Sequence, residues 1–404
     1  MDKKKVGAWA LFDFANSVYP AVMTTAVFPL FYVGIVVGND AGQGDWWYGR
    51  AISLSALIVA SWAPLLGAIA DRGGGRKKFM LFYVGLCLVG VSMMSTLEAG
   101  MVVQGFILFV VANIGFESAL VFYNAYLPDI APPEKQGWVS GLGFGVGYVG
   151  SAIALLMVLP FARDERWEVV WFLVAGFFLI FSLPAFLFLP ADKKGDMTVP
   201  EAARWGLTHL KTIVGEVWRQ RELRNFLFAF FFYIDGVLTI IVMAGLIATQ
   251  TFGFDQTGTI VLFLIIQFSA LIGAFSLAKP TDRWGPKRVL NGVLVVWILV
   301  SVSAFFIQDP NVFYAMAVFA GLALGSVQAA SRSFMASLIP VGREAEMFGF
   351  YALCGRTSSV LGPALFGYLA LVNDGNQRPG FLMLAGLFVL GLFLLQRVKD
   401  PRAA

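Results

Sequence analysis

Long apolar runs separated by short polar segments occupy almost the whole chain. Most runs match or exceed the roughly 20 residues that a helix needs to cross a bilayer. They are continuously apolar, without the alternation that marks the roughly ten-residue strands of a membrane barrel. The pattern predicts an all-α membrane protein with twelve transmembrane helices, at approximately 8–37, 46–71, 77–97, 101–128, 137–160, 168–190, 223–252, 257–281, 287–307, 312–338, 347–372 and 379–398.

Composition and charge agree with this pattern. The 404 residues are 58% hydrophobic and 13% charged, and a soluble domain carries about twice that charged fraction. With the N-terminus inside, most Lys and Arg residues fall in cytoplasmic segments, and the outer segments carry only Arg50, Arg163, Arg166 and Arg378. This bias predicts that both termini are cytoplasmic, and the predicted location is a bacterial-type inner (plasma) membrane. It assigns the net charge of +4 to topology and predicts no nucleic-acid partner.

A charged turn occurs twice. Asp71-Arg72-Gly73-Gly74-Gly75-Arg76 is followed 211 residues later by Asp282-Arg283-Trp284-Gly285-Pro286-Lys287. Leu127-Pro128 is likewise followed by Ile339-Pro340 at an offset of 212. Repeated six-span halves are a plan of many secondary transporters. The sequence therefore predicts two pseudo-symmetric six-helix bundles, 1–190 and 223–404, joined by a cytoplasmic linker at 191–222.

The linker is predicted to contain an amphipathic helix. Apolar residues from Trp205 to Trp218 recur with helical period between basic residues, which favours a helix lying on the inner membrane face, with lipid as its partner. His209, the single histidine, is interpreted as an ordinary surface residue. Cys87 and Cys354 lie mid-span in different halves, so neither a disulfide nor a metal site is indicated. No cofactor is predicted.

Four charged residues fall inside predicted spans: Glu117, Asp235, Arg332 and Arg356. Each costs at least about 2.5–3.5 kcal/mol at the middle of a bilayer, so each should face the bundle interior and have a partner. The polar residues on the faces of predicted spans complete the candidate substrate or ion-coupling set: Asp13, Asn16, Asn113, Asn124, Gln328 and Ser331. Alternatives stay open, because Asp13 could cap a neighbouring helix and Arg332 could bridge helices.

The repeated turn resembles the signature loop of the major facilitator superfamily, in the pattern Gly67-x-x-x-Asp71-Arg72-x-Gly74-x-Arg76. The resemblance implies two six-helix bundles that open a central cavity alternately to each side, and a monomer. It also implies that the loop locks the bundles in the outward-facing state. By motif position, that gating role falls on Asp71, Arg72 and Arg76 with Asp129 as their partner, and on Asp282 and Arg283 in the second copy.

Four further strings are similar to the vacuolar amino-acid effluxer-like branch of that superfamily, which is related to the autophagy effluxers of fungi. They are Phe12-Asp13-Phe14-Ala15-Asn16-Ser17, Tyr233-Ile234-Asp235-Gly236, Gln328-Ala329-Ala330-Ser331-Arg332-Ser333, and Gly355-Arg356 followed by Gly362-Pro363. The branch implies amino-acid efflux. Arg356 stands where the branch more often has Lys, and Phe12-Asp13-Phe14 replaces a Tyr-Asp-Trp start. Because Arg can bind a carboxylate through two hydrogen bonds, this departure favours a different substrate.

These sequence features bear on three classes of function. The first is a secondary active transporter of a small polar or zwitterionic solute, in which Arg332 or Arg356 holds an anionic group and Asp235 or Glu117 holds an amine or a coupling proton. The second is an exporter of amphipathic compounds or drugs, which the aromatic content of 15% suits. The third is a membrane enzyme or receptor. The sequence shows no nucleophile–base set for an enzyme and no added soluble domain for a receptor. We therefore predict a transporter and no enzyme.

Overall fold

The computed structural model describes residues 1–38, 43–192 and 195–401. Throughout this part of the chain the regular structure is helical, without strands. The helices are α1 (Lys3–Val37), α2 (Gln43–Gly73), α3 (Arg76–Thr96), α4 (Val102–Ile130), α5 (Pro133–Arg163), α6 (Trp167–Phe188), α7 (Val199–Thr208), α8 (Leu210–Arg219), α9 (Arg221–Thr251), α10 (Gln256–Ser276, continued by Ala278–Trp284), α11 (Pro286–Phe306), α12 (Pro310–Leu338), α13 (Glu344–Val372) and α14 (Arg378–Gln396).

The predicted spans all coincide with helices. Eleven helices within the described residues are long and apolar enough to cross a membrane. The remaining run, 347–372, lies in α13, which is 29 residues long. The first span is α-helical over Lys3–Asn16 and widens into π-type turns over Tyr19–Ala26, where Pro20 cannot donate a backbone hydrogen bond. The prediction of an all-α membrane protein is confirmed.

Two compact units divide the chain by their internal contacts. Unit 1 contains Met1–Ile130, Val146–Thr208 and Gly342–Gly349, and unit 2 contains Ala131–Gly145, His209–Val341 and Phe350–Ala404. Each unit therefore combines most of one half of the sequence with the start of a helix from the other half. Those two starts belong to α13 in unit 1 and to α5 in unit 2. The linear division into 1–190, 191–222 and 223–404 remains a prediction.

The core of unit 1 joins α1, α3 and α4. Trp9 and Tyr123 stack with ring centroids 4.7 Å apart, and each ring donates to the other residue's carbonyl, at 3.1 and 3.0 Å. A Cβ at Gly115 would lie 2.6 Å from the backbone nitrogen of Cys87. Glycine is therefore required where α4 crosses α3, because small residues let membrane helices approach closely.

Unit 2 uses the same packing device between α10 and α12. Gly321 meets the backbone of Ile266, and Cβ atoms at Gly273 and Gly325 would collide with the carbonyls of Leu322 and Ala270. Elsewhere in the unit, Trp297 of α11 stacks on Phe388 of α14 at 5.3 Å. The close helix crossings fix the backbone positions from which the polar side chains of α12 project.

The linker forms two helices rather than the single one predicted from its apolar period. The break comes at His209, which lies between α7 and α8. At the start of α7, the backbone N–H of Thr198 (2.9 Å) and its hydroxyl (2.8 Å) donate to Glu201. These two hydrogen bonds lower the pKa of the Glu201 carboxyl. The buried face of α7 packs Ala202 against Leu65 and Ile69 of α2, so protein rather than lipid covers it. Contact of α8 with lipid remains a prediction.

Candidate functional site

The candidate residues are distributed over both units. Unit 1 holds Asp13, Asn16, Asn113, Glu117 and Asn124, together with the gating candidates Asp71, Arg72, Arg76 and Asp129; unit 2 holds Asp235, Gln328, Ser331, Arg332 and Arg356, together with Asp282 and Arg283. Each set has its own geometry.

Arg76 is the centre of a buried ionic cluster in unit 1. Its Nε donates to Asp71 Oδ1 at 2.7 Å, its Nη1 to Asp129 Oδ2 at 3.0 Å, and its Nη2 to Glu344 Oε2. The ion pair expected between Asp129 and the basic turn is therefore present. Glu344 is an addition that the sequence analysis missed. In the sequence, Glu344 is marked only as an acidic residue in the first turn of a helix, 268 positions from Arg76.

Asp71 has a second set of partners at the start of α13. Its carboxylate accepts the backbone N–H groups of Ala345 (3.2 Å) and Glu346 (2.9 Å). An α-helix leaves its first N–H groups unpaired, and its positive dipole end favours a carboxylate there. A Cβ at Gly67 would collide with the Ala345 carbonyl, so this glycine allows α2 to reach the helix start. Asp71 thus joins the first half of the sequence to the second.

The second copy of the turn repeats this arrangement in unit 2. Asp282 accepts the backbone N–H groups of Gly137 (2.7 Å) and Trp138 (2.8 Å), near the start of α5. Each repeated aspartate therefore caps a helix that comes from the opposite half of the sequence. Arg283, which the resemblance assigned to gating, is exposed and makes no hydrogen bond among the described residues.

Arg72 lies outside the ionic cluster. Its guanidinium carbon lies 3.6 Å from the centroid of the Trp205 ring on α7, and its Nε is buried without a hydrogen-bond partner in the described part of the chain. Its carbonyl accepts the backbone N–H of Met197 at 3.2 Å. The geometry shows Arg72 contacting the linker helix, whereas Arg76 makes the ion pairs of the turn.

A pair of lysines that the sequence analysis missed also follows the repeat. Lys77 Nζ donates to the Leu189 carbonyl at 2.7 Å, beyond the end of α6, and Lys287 Nζ donates to the Val398 carbonyl at 2.6 Å, beyond the end of α14. The backbone N–H of Lys77 donates to Asp192 at 2.8 Å. Unpaired carbonyls at a helix C-terminus favour a cation. The available signal was that each turn ends in adjacent basic residues.

Several polar groups line the interior of unit 1. Asn113 Nδ2 donates to Ser55 Oγ at 2.8 Å, but its Oδ1 is buried without a partner among the described residues, as is the Tyr19 hydroxyl. The Tyr19 ring stacks on Phe116 at 4.5 Å, next to Glu117, which is 7% exposed.

The three remaining candidates of unit 1 are Asp13 and Asn16 on α1 and Asn124 on α4. Asn16 Nδ2 donates to Asp13 Oδ1 at 3.4 Å, and both residues are buried. Asn124, which ends the α-helical stretch Val102–Asn124 of α4, is half-buried. Within unit 1, the Asn113 Oδ1 acceptor and the Tyr19 hydroxyl donor are thus buried groups without a partner among the described residues.

Arg332 is held by α5 within unit 2. Its Nε donates to Ser140 Oγ at 3.0 Å and its Nη2 to the Ser140 carbonyl at 2.8 Å. The guanidinium carbon lies 4.0 Å from the centroid of Phe144, and the residue is 3% exposed. These contacts favour the helix-bridging role among the two alternatives for Arg332. Its neighbour Ser331 shares a 2.7 Å hydrogen bond with the Tyr233 hydroxyl, whereas Gln328 and Arg356 are half-buried.

Asp235 lies where α9 meets α13. Its Oδ1 accepts the backbone N–H of Gly362 at 2.9 Å, and its Oδ2 is buried without a hydrogen-bond partner in the described residues. The residue is 1% exposed. A Cβ at Gly362 would collide with Thr239 Oγ1 and lie 2.6 Å from Asp235 Oδ1. Because Gly362 has no side chain, the Asp235 carboxyl can lie directly against the α13 backbone. No cluster able to hold a metal ion occurs among the described residues.

Two solved structures share this architecture. The human organic anion transporter MFSD10 superposes with a TM-score of 0.77 at 16% identity, covering 98% of this chain and 100% of that one. The proton:xylose symporter XylE, a major facilitator superfamily protein, superposes with a TM-score of 0.71 at 15% identity, covering 98% and 95%. At this identity the likeness establishes the fold, which is that of major facilitator transporters.

Sequence comparison narrows the class to one family. The family model described as "Vacuole effluxer Atg22 like" matches residues 48–404. An uncharacterized MFS-type transporter of Bacillus subtilis, YxiO, is 31% identical over 414 residues, covering 98% of this chain and 95% of its own. Autophagy-related protein 22 of Coccidioides immitis is 24% identical over 485 residues, covering 96% and 78%. The chain belongs to the Atg22-like family of major facilitator transporters.

Proposed function

We propose that this protein is a secondary active transporter that moves a small polar or zwitterionic solute, such as an amino acid, by alternating access. The observation that carries the substrate class is the set of buried polar groups in unit 1. The Asn113 Oδ1 and the Tyr19 hydroxyl have no partner in the described residues, and burying such groups unpaired is unfavourable. A polar ligand that donates to Asn113 and accepts from Tyr19 would relieve that cost.

The ionic cluster around Arg76 supports the alternating-access part of the proposal. It joins the turn after α2 to the start of α13, two segments that the Lys and Arg distribution predicts to be cytoplasmic. Separating these segments would break the Arg76–Glu344 ion pair and remove both Asp71 bonds to the α13 backbone. We infer that the cluster stabilises the state closed at this end and that transport requires its cyclic release, as two-state gating requires.

The direction of transport is proposed as export from the cytoplasm. The family description supports it, since it names a vacuole effluxer. The basic segments support an orientation with both termini cytoplasmic, and the protein is proposed to lie in a bacterial-type inner membrane and to act as a monomer without cofactor. An exporter of amphipathic compounds is the alternative, and a substrate panel separates the two proposals.

Counterflow in proteoliposomes tests the proposal. Vesicles containing purified protein are loaded with unlabelled amino acids, and entry of the same radiolabelled amino acids is measured against protein-free vesicles. We expect saturable counterflow of at least one amino acid and its reduction in Asp71→Asn. Glu134→Gln, which changes an exposed carboxylate at the start of α5, is the matched control. Exchange of amphipathic drugs without exchange of any amino acid or dipeptide would overturn the proposed substrate class.

A further inference from the structure

Asp235 is distinguished by what its carboxyl lacks. Its Oδ1 has one partner, the backbone N–H of Gly362, and its Oδ2 has none within the described residues although it is fully buried. A charged carboxylate left with one unpaired oxygen is far costlier to bury than a neutral acid. The position therefore needs either a proton on the carboxyl or a cation from outside the chain.

The elements packed around α9 do not supply that cation. The neighbouring helices carry ten titratable side chains. They are Tyr314 and Arg332 on α12; Tyr351, Cys354, Arg356 and Tyr368 on the unit 2 part of α13; Arg378 on α14; and Lys211, Glu216 and Arg219 on α8. None of these groups forms a hydrogen bond or ion pair with Asp235 in the described part of the chain. On its own helix, the Tyr233 hydroxyl is bonded to Ser331.

The contact with Gly362 makes α13 sensitive to the charge of this carboxyl. A hydrogen bond to an ionised carboxylate is roughly twice as strong as one to a neutral acid. Gly362 is followed by Pro363 within α13, and proline interrupts the backbone ladder and favours a kink at such a place. A change of charge on Asp235 would therefore change the strength with which α9 holds α13 at a deformable point.

We propose that Asp235 is a proton-binding site of the transport cycle, and that its charge is transmitted to α13 through the Gly362 N–H. The inference rests on the proposed transport function and names its coupling ion. A proton from water adds to Oδ2 when this face of α9 is open to one side of the membrane, and it returns to water when the other side opens. Oδ1 remains bonded to Gly362 in both forms, more weakly in the neutral one. The described structure, with Oδ2 shielded and unpaired, corresponds to the proton-loaded form.

Two readouts test the proposal, one of which needs no substrate. In infrared difference spectra of reconstituted protein taken across a pH titration, the carbonyl band of a buried protonated carboxylic acid should be present in the wild type and absent from Asp235→Asn. In proteoliposomes, the ratio of pH-gradient-driven amino-acid uptake to counterflow should fall at least tenfold in Asp235→Asn. Asp235→Glu, which retains an ionisable group, should restore part of the gradient response.

Thr239→Val is the matched control. Thr239 lies one turn from Asp235, but its hydroxyl donates to the Asp235 backbone carbonyl at 2.7 Å, so both readouts should match the wild type. Gel filtration of each variant shows whether it has folded, and Asp235→Glu carries the test if Asp235→Asn aggregates. An unchanged infrared band together with an intact gradient response in Asp235→Asn would overturn the inference. Absence of any amino-acid counterflow in the wild type would instead count against the proposed substrate, while the infrared result would still judge the proton site.

Discussion

Replacing Glu344 by glutamine isolates one contact of the ionic cluster in unit 1. Glu344 pairs with Arg76 Nη2, and the two side chains are 4% and 9% exposed. The substitution keeps the shape and removes the charge. Because Arg76 retains Asp71 and Asp129 as partners, the variant should fold, and its main effect should be on the attachment of α13.

The magnitude follows from the burial of the pair. A hydrogen bond to a charged group contributes about 1.5–3 kcal/mol, and removal of one partner from an otherwise uncompensated buried pair costs about 3–5 kcal/mol. The two remaining carboxylates around Arg76 favour the lower range, about 1.5–3 kcal/mol. At 1.4 kcal/mol per factor of ten, the ratio of closed to open conformations should fall roughly 10- to 150-fold.

Electron–electron double resonance measures this shift. Spin labels are placed at Lys78 and Val341, which are exposed, in protein whose Cys87 and Cys354 have been replaced by alanine. Glu344→Gln in nanodiscs should enlarge the long-distance population, and Glu134→Gln should not. If the two variants give the same distance distribution as the parent, Glu344 does not contribute to gating and the proposed role of the cluster is wrong.

Two further predictions concern contacts outside that pair. Asp282→Asn weakens the cap of α5, so by analogy with lost helix caps it should lower the free energy of unfolding by about 0.5–2 kcal/mol. Thermal unfolding in detergent should show a lower midpoint for this variant, whereas Arg283→Gln, at an exposed position, should leave the midpoint unchanged. Equal midpoints for the two variants would contradict the capping role of Asp282. Trp205→Leu removes the cation–π contact with Arg72, worth about 0.5–2 kcal/mol, so trypsin should cleave after Arg204 about two- to thirtyfold faster. Trp218→Leu on α8 is the control for this cleavage, and an unchanged rate in Trp205→Leu would show that the contact does not hold α7.

The sequence analysis identified the main features whose causes are local. A run of about 20 apolar residues determines a membrane helix by its length and composition, and each predicted span coincides with a helix. The repeated turn indicated two related halves because it is a short contiguous pattern. The sequence analysis also predicted that Asp129 is the carboxylate partner of the basic turn. Asp129 lies near the C-terminal end of α4, the second helix after that turn.

Tertiary structure decided which charged side chains meet. Glu344 joins Arg76 across 268 positions, and nothing local to either residue specifies that contact. Arg72 and Arg76 belong to one motif but have different partners. The docking of α7 places the Trp205 ring against Arg72, whereas Arg76 pairs with carboxylates. Arg332 lies against Ser140 since α5 and α12 pack together, which no helical period can predict. The sequence by itself determined the helices, their repeat and the class of transporter; the packing of those helices determined which groups are paired, capped or, as at Asp235, left with a buried oxygen unpaired.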